Sequence, residues 1–334
     1  MKRRTTISDI AKRADVSLKT VSRVLNDEPH VRADVRDRVK RIAAELNYHP
    51  NVAARGLIHR RSFLIGLTYE RPSPSYVVEL QRGALDRLAD TRYRLMVLPF
   101  DRASERPDEL VGFLRSAGLD GVLLAPPSCD SPQVLDALDA AHIAYGRISP
   151  VTAPVRGAVA GMDDRAAART IAEYLIGLGH RRIAIIAGQD HHSASALRME
   201  GYRDAFDAAG IEPVAIEQGD FTLAGGQDAA ARLLDRSLRP TAILAQNDDM
   251  AVGAIQAARD AGLNVPSQLS VAGFDDAVIA GLSWPRLTTI HQPVHAIAEA
   301  ATDGLLKLLL GEAAPPPQTL AYRLIERGST GAAP

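Results

Sequence analysis

Lys19 and Arg23 stand one helical turn apart in TTISDIAKRADVSLKTVSRVLN (Thr5–Asn26), with Leu18 and Ser22 beside them. Donors and one apolar group on such a face suit the edges of bases, and an arginine fork matches the O6 and N7 of guanine. The local pattern predicts two helices to carry that face. Ile7, Ile10, Ala11 and Ala14 recur at helical spacing behind Thr6, an N-cap with Asp9 three residues on, so the first helix should end near Ala14. Ser17 can cap a second helix through the amides of Lys19 or Thr20. Val16 can pack on Val21 as a staple, and Val24 and Leu25 complete the buried side.

Short amphipathic pairs occur in many small helical domains, so charge has to arbitrate. Residues 1–61 hold fifteen Lys and Arg against seven Asp and Glu, while the rest of the 334-residue chain holds twenty-four against thirty-three. A basic head on an acidic body is the footprint of a protein that grips phosphates with one end. A third helix is predicted from Ala33 to Leu46, with Val35, Val39, Ile42, Ala43 and Leu46 closing the core over the first two. Arg32 stands at its cap, leaving Asp34 to favour the first turn. Tyr48-His49-Pro50 breaks this helix, and Asn51 then caps Val52–Leu57. That run is far below the ~12 residues at which isolated helices become even marginal in water, and Gly56 weakens it further.

A second set of chemically capable residues lies further on. From Phe63 short apolar runs alternate with helical patterns, which predicts parallel sheets covered on both faces. Strands are expected at 63–68, 95–100, 121–125, 144–148, 159–162, 183–187, 242–245, 270–274 and 289–292. The clearest helices are expected at 77–88, 164–178, 194–209, 225–234, 250–261 and 294–310. Ligands in open sheets sit beyond the carboxyl ends of strands. Tyr76, Arg198, Phe221, Asn247, Asp248, Asp275 and Gln292 fall there. Singly each is unremarkable, since a lone strand-end Asp more often caps a helix than holds a ligand. Asp164, Asp249 and Asp276 read as helix caps.

Other features point to no chemistry. His191-His192 has no third ligand spaced with it, Gly225-Gly226 lacks a dinucleotide-loop context, Pro315–Pro317 is a stiff connection, and no nucleophile elbow is visible. No catalytic residue, metal or cofactor is therefore expected. A single cysteine, Cys129, excludes an internal disulfide and reads as an inert loop residue. The 46% hydrophobic and 24% charged composition is ordinary for a globular chain. No apolar run approaches the ~18 residues of a membrane span, and MKRRTT precedes no leader-like stretch, so a cytoplasmic protein is expected.

The order TISDIAKRADVSLKTVSRVLN, VRADVRDRVKRIAAELNYHPNVAARGL, GHRRIAIIAG, LRMEGY, QNDDMAVG, SVAGFDD and LTTIHQP resembles the LacI/GalR family of ligand-controlled bacterial transcription repressors, from about Thr5 to Arg327. The resemblance implies an α/β architecture: an N-terminal three-helix helix-turn-helix head (1–49) and a hinge helix (50–61). A two-lobed, periplasmic-binding-protein-like body with parallel sheets follows (62–328). Its lobes would comprise about 62–161 with 292–322, and 162–290 with 323–328, crossing near Gly161, Thr289 and Tyr322. Residues 329–334 are expected as a flexible tail, and RGSTGAAP adds no helix for tetramer formation.

Contacts to double-stranded operator DNA are implied for Thr6, Ser17, Leu18, Lys19, Thr20, Ser22, Arg23 and Asn26, and for Asn51, Ala54, Arg55 and Leu57 in the hinge. Leu57 would be an apolar wedge in the minor groove. An effector pocket is implied at Tyr76, Ser149, Arg198, Phe221, Asn247, Asp248, Asp275 and Gln292. The chain departs from the family pattern at Arg32, at Gly56, and at Ser149-Pro150, where many sugar-responsive members carry an aspartate. A homodimeric repressor released by a sugar or oligosaccharide inducer is the implied function. The alternatives are a purine- or other metabolite-dependent corepressed regulator, and a carbohydrate-binding or carbohydrate-processing protein.

Overall fold

The chain divides into two units, Met1–Ser62 and Phe63–Pro334, in a computed structural model that describes residues 5–25, 28–48, 61–70, 73–151, 156–189, 192–235 and 239–334. The first unit holds helices α1 (Ile7–Ala14), α2 (Leu18–Leu25) and α3 (Ala33–Glu45). The expected caps form. The amide and hydroxyl of Thr6 donate to the Asp9 carboxylate at 2.9 and 2.8 Å, and Ser17 Oγ accepts from the Thr20 amide at 3.1 Å. Asp15, at φ 50°, turns the chain out of α1. Ile10, Ala14, Val21, Val24, Val39 and Ile42 interlock in one core with Val16 and Leu25 packed against it. Ile7 departs from expectation: it lies in the first turn of α1, at the edge of that core, and stays 38% exposed. Arg32 makes no side-chain cap, and its fork instead holds Asp34 at 3.1 and 3.0 Å.

The second unit begins with β1 (Leu64–Tyr69), α4 (Pro74–Leu88), β2 (Arg94–Pro99), α5 (Pro107–Ser116), β3 (Gly121–Leu124), α6 (Pro132–Ala140), β4 (Ala144–Ile148) and β5 (Ala158–Gly161). It continues with α7 (Asp164–Gly177), β6 (Ile183–Ala187), α8 (Ser193–Ala209), β7 (Ala215–Gln218), α9 (Leu223–Leu234), β8 (Ala242–Ala245), α10 (Asp248–Asp260), β9 (Ser270–Ala272) and α11 (Val278–Leu282). It closes with β10 (Thr289–His291), α12 (Val294–Leu309), β11 (Gln318–Thr319) and β12 (Arg323–Ile325).

Two parallel sheets result, ordered β11-β5-β4-β3-β1-β2 and β7-β6-β8-β9, with β10 and β12 paired antiparallel outside both. Runs such as GVLL in β3, IAIIA in β6 and AILA in β8 are wholly buried, as strands covered on both faces require. The chain passes between the sheets after β5, through β10 into α12, and from β11 through β12. Helix α12 returns to the first sheet, burying Ala298, Ala301 and Leu305 against Ile65, Leu67 and Leu123. In the second lobe a Cβ at Gly226 or Gly253 would strike the facing backbone, so these two glycines let α9 and α10 pack closely. No helix among the described residues is long and apolar enough to cross a membrane.

The clear runs became strands, but β7, whose AIEQ is alternately half-buried and exposed, carries no apolar run to reveal it. The short β11 and β12 were likewise not anticipated. Residues 329–334 are not a loose tail. The Val271 amide donates to Ser329 O at 2.8 Å, the Thr288 amide to Ser329 Oγ at 2.8 Å, and the Ala333 amide to Leu178 O at 2.9 Å. Ser329 is fully buried because its backbone satisfies the free edge of β9. Cys129 lies in a 3-10 turn, Ser128–Asp130, and is buried, where burial pushes its thiol well up.

Candidate functional site

The helix-turn-helix face is built as its spacing requires. Val21 and Val24 are buried, while Leu18, Lys19 and Arg23 are exposed on α2 and Ser22 and Thr20 are half-buried. Ser17 Oγ and Thr20 Oγ1 lie 2.9 Å apart, so both hydroxyls are engaged in fixing the start of α2. Arg23 Nε is 3.6 Å from Glu28 Oε2, an exposed pair that a guanine could displace at little cost. Asn26, Asn51, Ala54, Arg55 and Leu57, and with them the hinge, lie outside the described residues.

In the second unit one cavity collects seven of the eight expected effector residues. The first lobe brings Tyr76, at the start of α4, and Ser149, just past β4. The second brings Arg198 from α8, Phe221 from the loop after β7, Asn247 at the N-cap of α10 and Asp275 after β9. Gln292 arrives from the crossing segment after β10. These are carboxyl ends of parallel strands, where backbone diverges and side chains converge. Ser149, Phe221 and Asp275 hold φ of 47°, 66° and 120°, left-handed conformations costly for residues with a Cβ, and such strain clusters at ligand sites.

Arg198 is the hub. Its Nε donates to Asp164 Oδ1 at 2.9 Å, its Nη1 to Gln246 O at 2.5 Å, and its Nη2 to Gln292 Oε1 at 3.4 Å, with Asp275 Oδ1 at 3.6 Å. The guanidinium stacks 3.8 Å from the Phe274 ring centre. Burial pushes the Asp275 carboxyl up to about 7 against the pull of Arg198, and the nearby Asp249 and Asp164 carboxylates push the same way. Burial likewise raises Asp164, again opposed by Arg198, and raises the Tyr76 hydroxyl. Asn247 takes two tasks, accepting from the Met250 amide at 2.9 Å and donating to Phe221 O at 3.0 Å. Gln246, fully buried, accepts from the Gly188 amide at 2.7 Å and donates to Ser195 O at 2.9 Å, which holds β6, β8 and α8 in register around the cavity.

Four expectations need correction. Asp248 does not line the cavity: its carboxylate is wholly buried behind it, accepting from Thr289 Oγ1 at 2.6 Å and the Ala277 amide at 2.7 Å. It clamps the loop carrying Asp275, and burial pushes its carboxyl well up. Asp164 is not a cap, because its neighbour Asp163 accepts from the Ala166 amide at 2.9 Å; freed from that task, Asp164 turns into the cavity to meet Arg198. Asp276 is also no cap: Arg327 donates to it at 2.6 Å and His291 Nδ1 lies 3.0 Å away. Asp249 lies in the first turn of α10, where the cap itself is Asn247. Glu70, Ser73, Gln189 and His192 line the same cavity and were not foreseen, although each follows an apolar run that became a strand. His192 packs edge-on to Phe221 with ring centres 5.2 Å apart.

Comparison with known proteins places these features in context. Residues 6–51 match the model for bacterial regulatory proteins of the lacI family, and residues 172–330 match the periplasmic binding protein-like domain. The lactose operon repressor of Escherichia coli (strain K12) is 32% identical over 333 residues, covering 97% of this chain and 90% of that protein. The lac repressor dimer bound to operator and the anti-inducer ONPF superposes with a TM-score of 0.89 at 29% identity, covering 99% of this chain and all of that one. The transcriptional regulator CelR in complex with cellobiose gives a TM-score of 0.74 at 30% identity, covering 98% and 100%.

Proposed function

The chain belongs to the lacI family of bacterial regulatory proteins, and from that premise we propose that it represses transcription from an operator it grips as a homodimer and releases when a sugar binds between its lobes. The observation that carries this reading is the meeting of Arg198, Asp275, Asn247 and Gln292 from the second lobe and crossing strand with Tyr76 and Ser149 from the first across one cavity. A fork donor, a carboxylate acceptor, two amides and the flanking aromatic Phe221 match vicinal hydroxyls on a ring with one apolar face. A ligand held by both lobes favours one lobe arrangement over another, and only that difference in affinity can alter operator binding. Residues 1–49 then read DNA, 50–61 form the hinge with Leu57 as wedge, and 62–328 bind effector.

Dimerisation has support in an apolar strip. Val278, Leu282 and Trp284 are 68%, 78% and 81% exposed, and Val78 of α4 lines one groove together with Val278, so the strip runs over both lobes. Such a patch on a soluble chain marks an association surface, and two heads at fixed spacing are what a two-fold operator demands. The protein acts in the cytoplasm, where operators are, and leaves its ligand chemically unchanged.

The test titrates operator binding by the full-length protein against a panel of sugars and purines, with the recovered ligand analysed for turnover. Release by a sugar, with the sugar recovered intact, is the expected result. Tightening by a purine would make the protein a corepressed regulator, and a converted sugar would make it an enzyme.

A further inference from the structure

We propose that the effector is an uncharged oligosaccharide of at least two rings, one end held at Arg198 and the next ring seated in a second cavity on the outer side of the same cleft; this rests on the sugar reading above. The inner cavity is about 60 Å³ and the outer one about 480 Å³. Ligand sites ordinarily span roughly 300–1,000 Å³, so the inner cavity accounts for only part of a ligand, and the two together fall within that range.

Glu70 walls both cavities, and their linings interleave along the chain: Pro126 faces the inner one and Pro127 the outer, while Ser193 of the outer lies between His192 and Ala194 of the inner. The shared wall is rigid. Glu70 accepts from the Arg102 and Ala103 amides at 2.9 and 3.2 Å and from Ser128 Oγ at 2.8 Å, so it ties three loops of the first lobe together. The outer lining is hydrogen-bonding: Arg102, Glu105, Gln133 and Ser131 from the first lobe and Ser193 from the second. Ser131 Oγ donates to Gln133 Oε1 at 3.0 Å, fixing that amide. Ser193, in the first turn of α8, faces these residues from the opposite lobe, so a ring seated there touches both lobes and adds to the lobe arrangement that the inner ring selects.

Charge sets the remaining specificity. Glu70, Glu105, Asp130, Asp164 and Asp275 line the two cavities against Arg102 and Arg198. Carboxylates outnumber guanidiniums, and both guanidiniums already have carboxylate partners, Arg102 with Glu105 at 3.1 Å and Arg198 with Asp164 at 2.9 Å. A phosphorylated or acidic sugar is thereby disfavoured.

The test is calorimetric titration of the full-length protein with glucose, galactose and xylose, with cellobiose, maltose, lactose and xylobiose, with the matching trisaccharides, and with glucose 6-phosphate. In at least one series the disaccharide should bind about tenfold or more tightly than its monosaccharide, and the sugar phosphate should not bind. Ser104 is exposed on the outer cavity's wall and takes no part in the hydrogen bonding above, so S104W should fill that cavity alone. It should erase the disaccharide's gain while leaving monosaccharide affinity within about twofold. Equal affinities for monosaccharide and oligosaccharide, equal weakening of all sugars by S104W, or tight binding of the sugar phosphate would each overturn the proposal. A monosaccharide that still releases operator in that case leaves the sugar reading intact. Silence across the whole panel removes both.

Discussion

Replacing Arg198 with alanine tests the effector cleft at its centre. The substitution removes a cation that touches Asp164 at 2.9 Å, Asp275 at 3.6 Å and the Phe274 ring at 3.8 Å, all in a setting where Arg198 and Asp164 side chains are 7% and 3% exposed. Two carboxylates are then left buried without their counter-charge. Breaking a buried pair costs about 3–5 kcal/mol, and the lost stacking adds on the order of 1 kcal/mol. Proton uptake relieves part of this, because burial already raises both carboxyls and the arginine that opposed the shift is gone. Carboxyls raised in the folded state contribute their stability below the ordinary carboxylate range and lose it as pH rises. The alanine protein should therefore be less stable than the parent by about 3–5 kcal/mol at pH 8 and by visibly less at pH 6. Arg198→Lys keeps the charge but not the fork, so it should recover much of the stability and little of the effector response. Urea unfolding at both pH values, alongside operator titration with and without sugar, reads all three proteins. An alanine variant within about 1 kcal/mol of the parent at pH 8, or one that releases operator at the parent's sugar concentration, would refute the reasoning.

Three further outcomes follow from particular residues. Arg23→Ala should weaken operator binding by about 1–3 kcal/mol and relax preference at one base pair per half-site; gel shifts over an operator variant set would show uniform loss instead if Arg23 only held a phosphate. With the Asp275 carboxyl up near 7, the group we propose as acceptor for a sugar hydroxyl is half protonated at neutral pH. Effector affinity should rise from pH 6 to 8, and Asp275→Asn should bind more weakly with a flat profile; a parent profile that is already flat would contradict the assignment. Ending the chain after Gly328 removes the bonds from Ser329 and Ala333 to Val271, Thr288 and Leu178 and the contact of Gly331 O with buried His180 at 3.1 Å. At about 1 kcal/mol for each hydrogen bond, that truncation should cost about 2–4 kcal/mol, seen as a lowered Tm, whereas an unchanged Tm would restore the view of residues 329–334 as a free tail.

Local patterns sufficed for much of this protein. Thr6 with Asp9 and Ser17 with Thr20 are caps written within four residues, and the apolar periodicities around them determined which side of α2 could carry Lys19 and Arg23 outward. Buried runs such as IAIIA and AILA marked strands, and the polar residues just past them led to seven of the cavity's side chains. Those signals are short-ranged, so they survive without knowledge of the fold. What only the tertiary structure decided was the allocation of charge and of backbone partners. Asp163 and Asp164 are equally able to cap a helix, and which one turns inward depends on Arg198, thirty-odd residues away. Asp248 looked as suitable as Asp275, yet Thr289 and Ala277 claim it from a later segment. The left-handed backbone at Ser149, Phe221 and Asp275 leaves no mark in residue type, because such strain is tolerated only where surrounding packing enforces it. The edge strand β7, with no continuous apolar run, and the final residues, few and polar, acquired their order from neighbours: β6 for one, and β9 with His180 for the other. A carboxylate or an amide is common to many local environments, and its role is set by whichever partner the fold brings within about 3 Å.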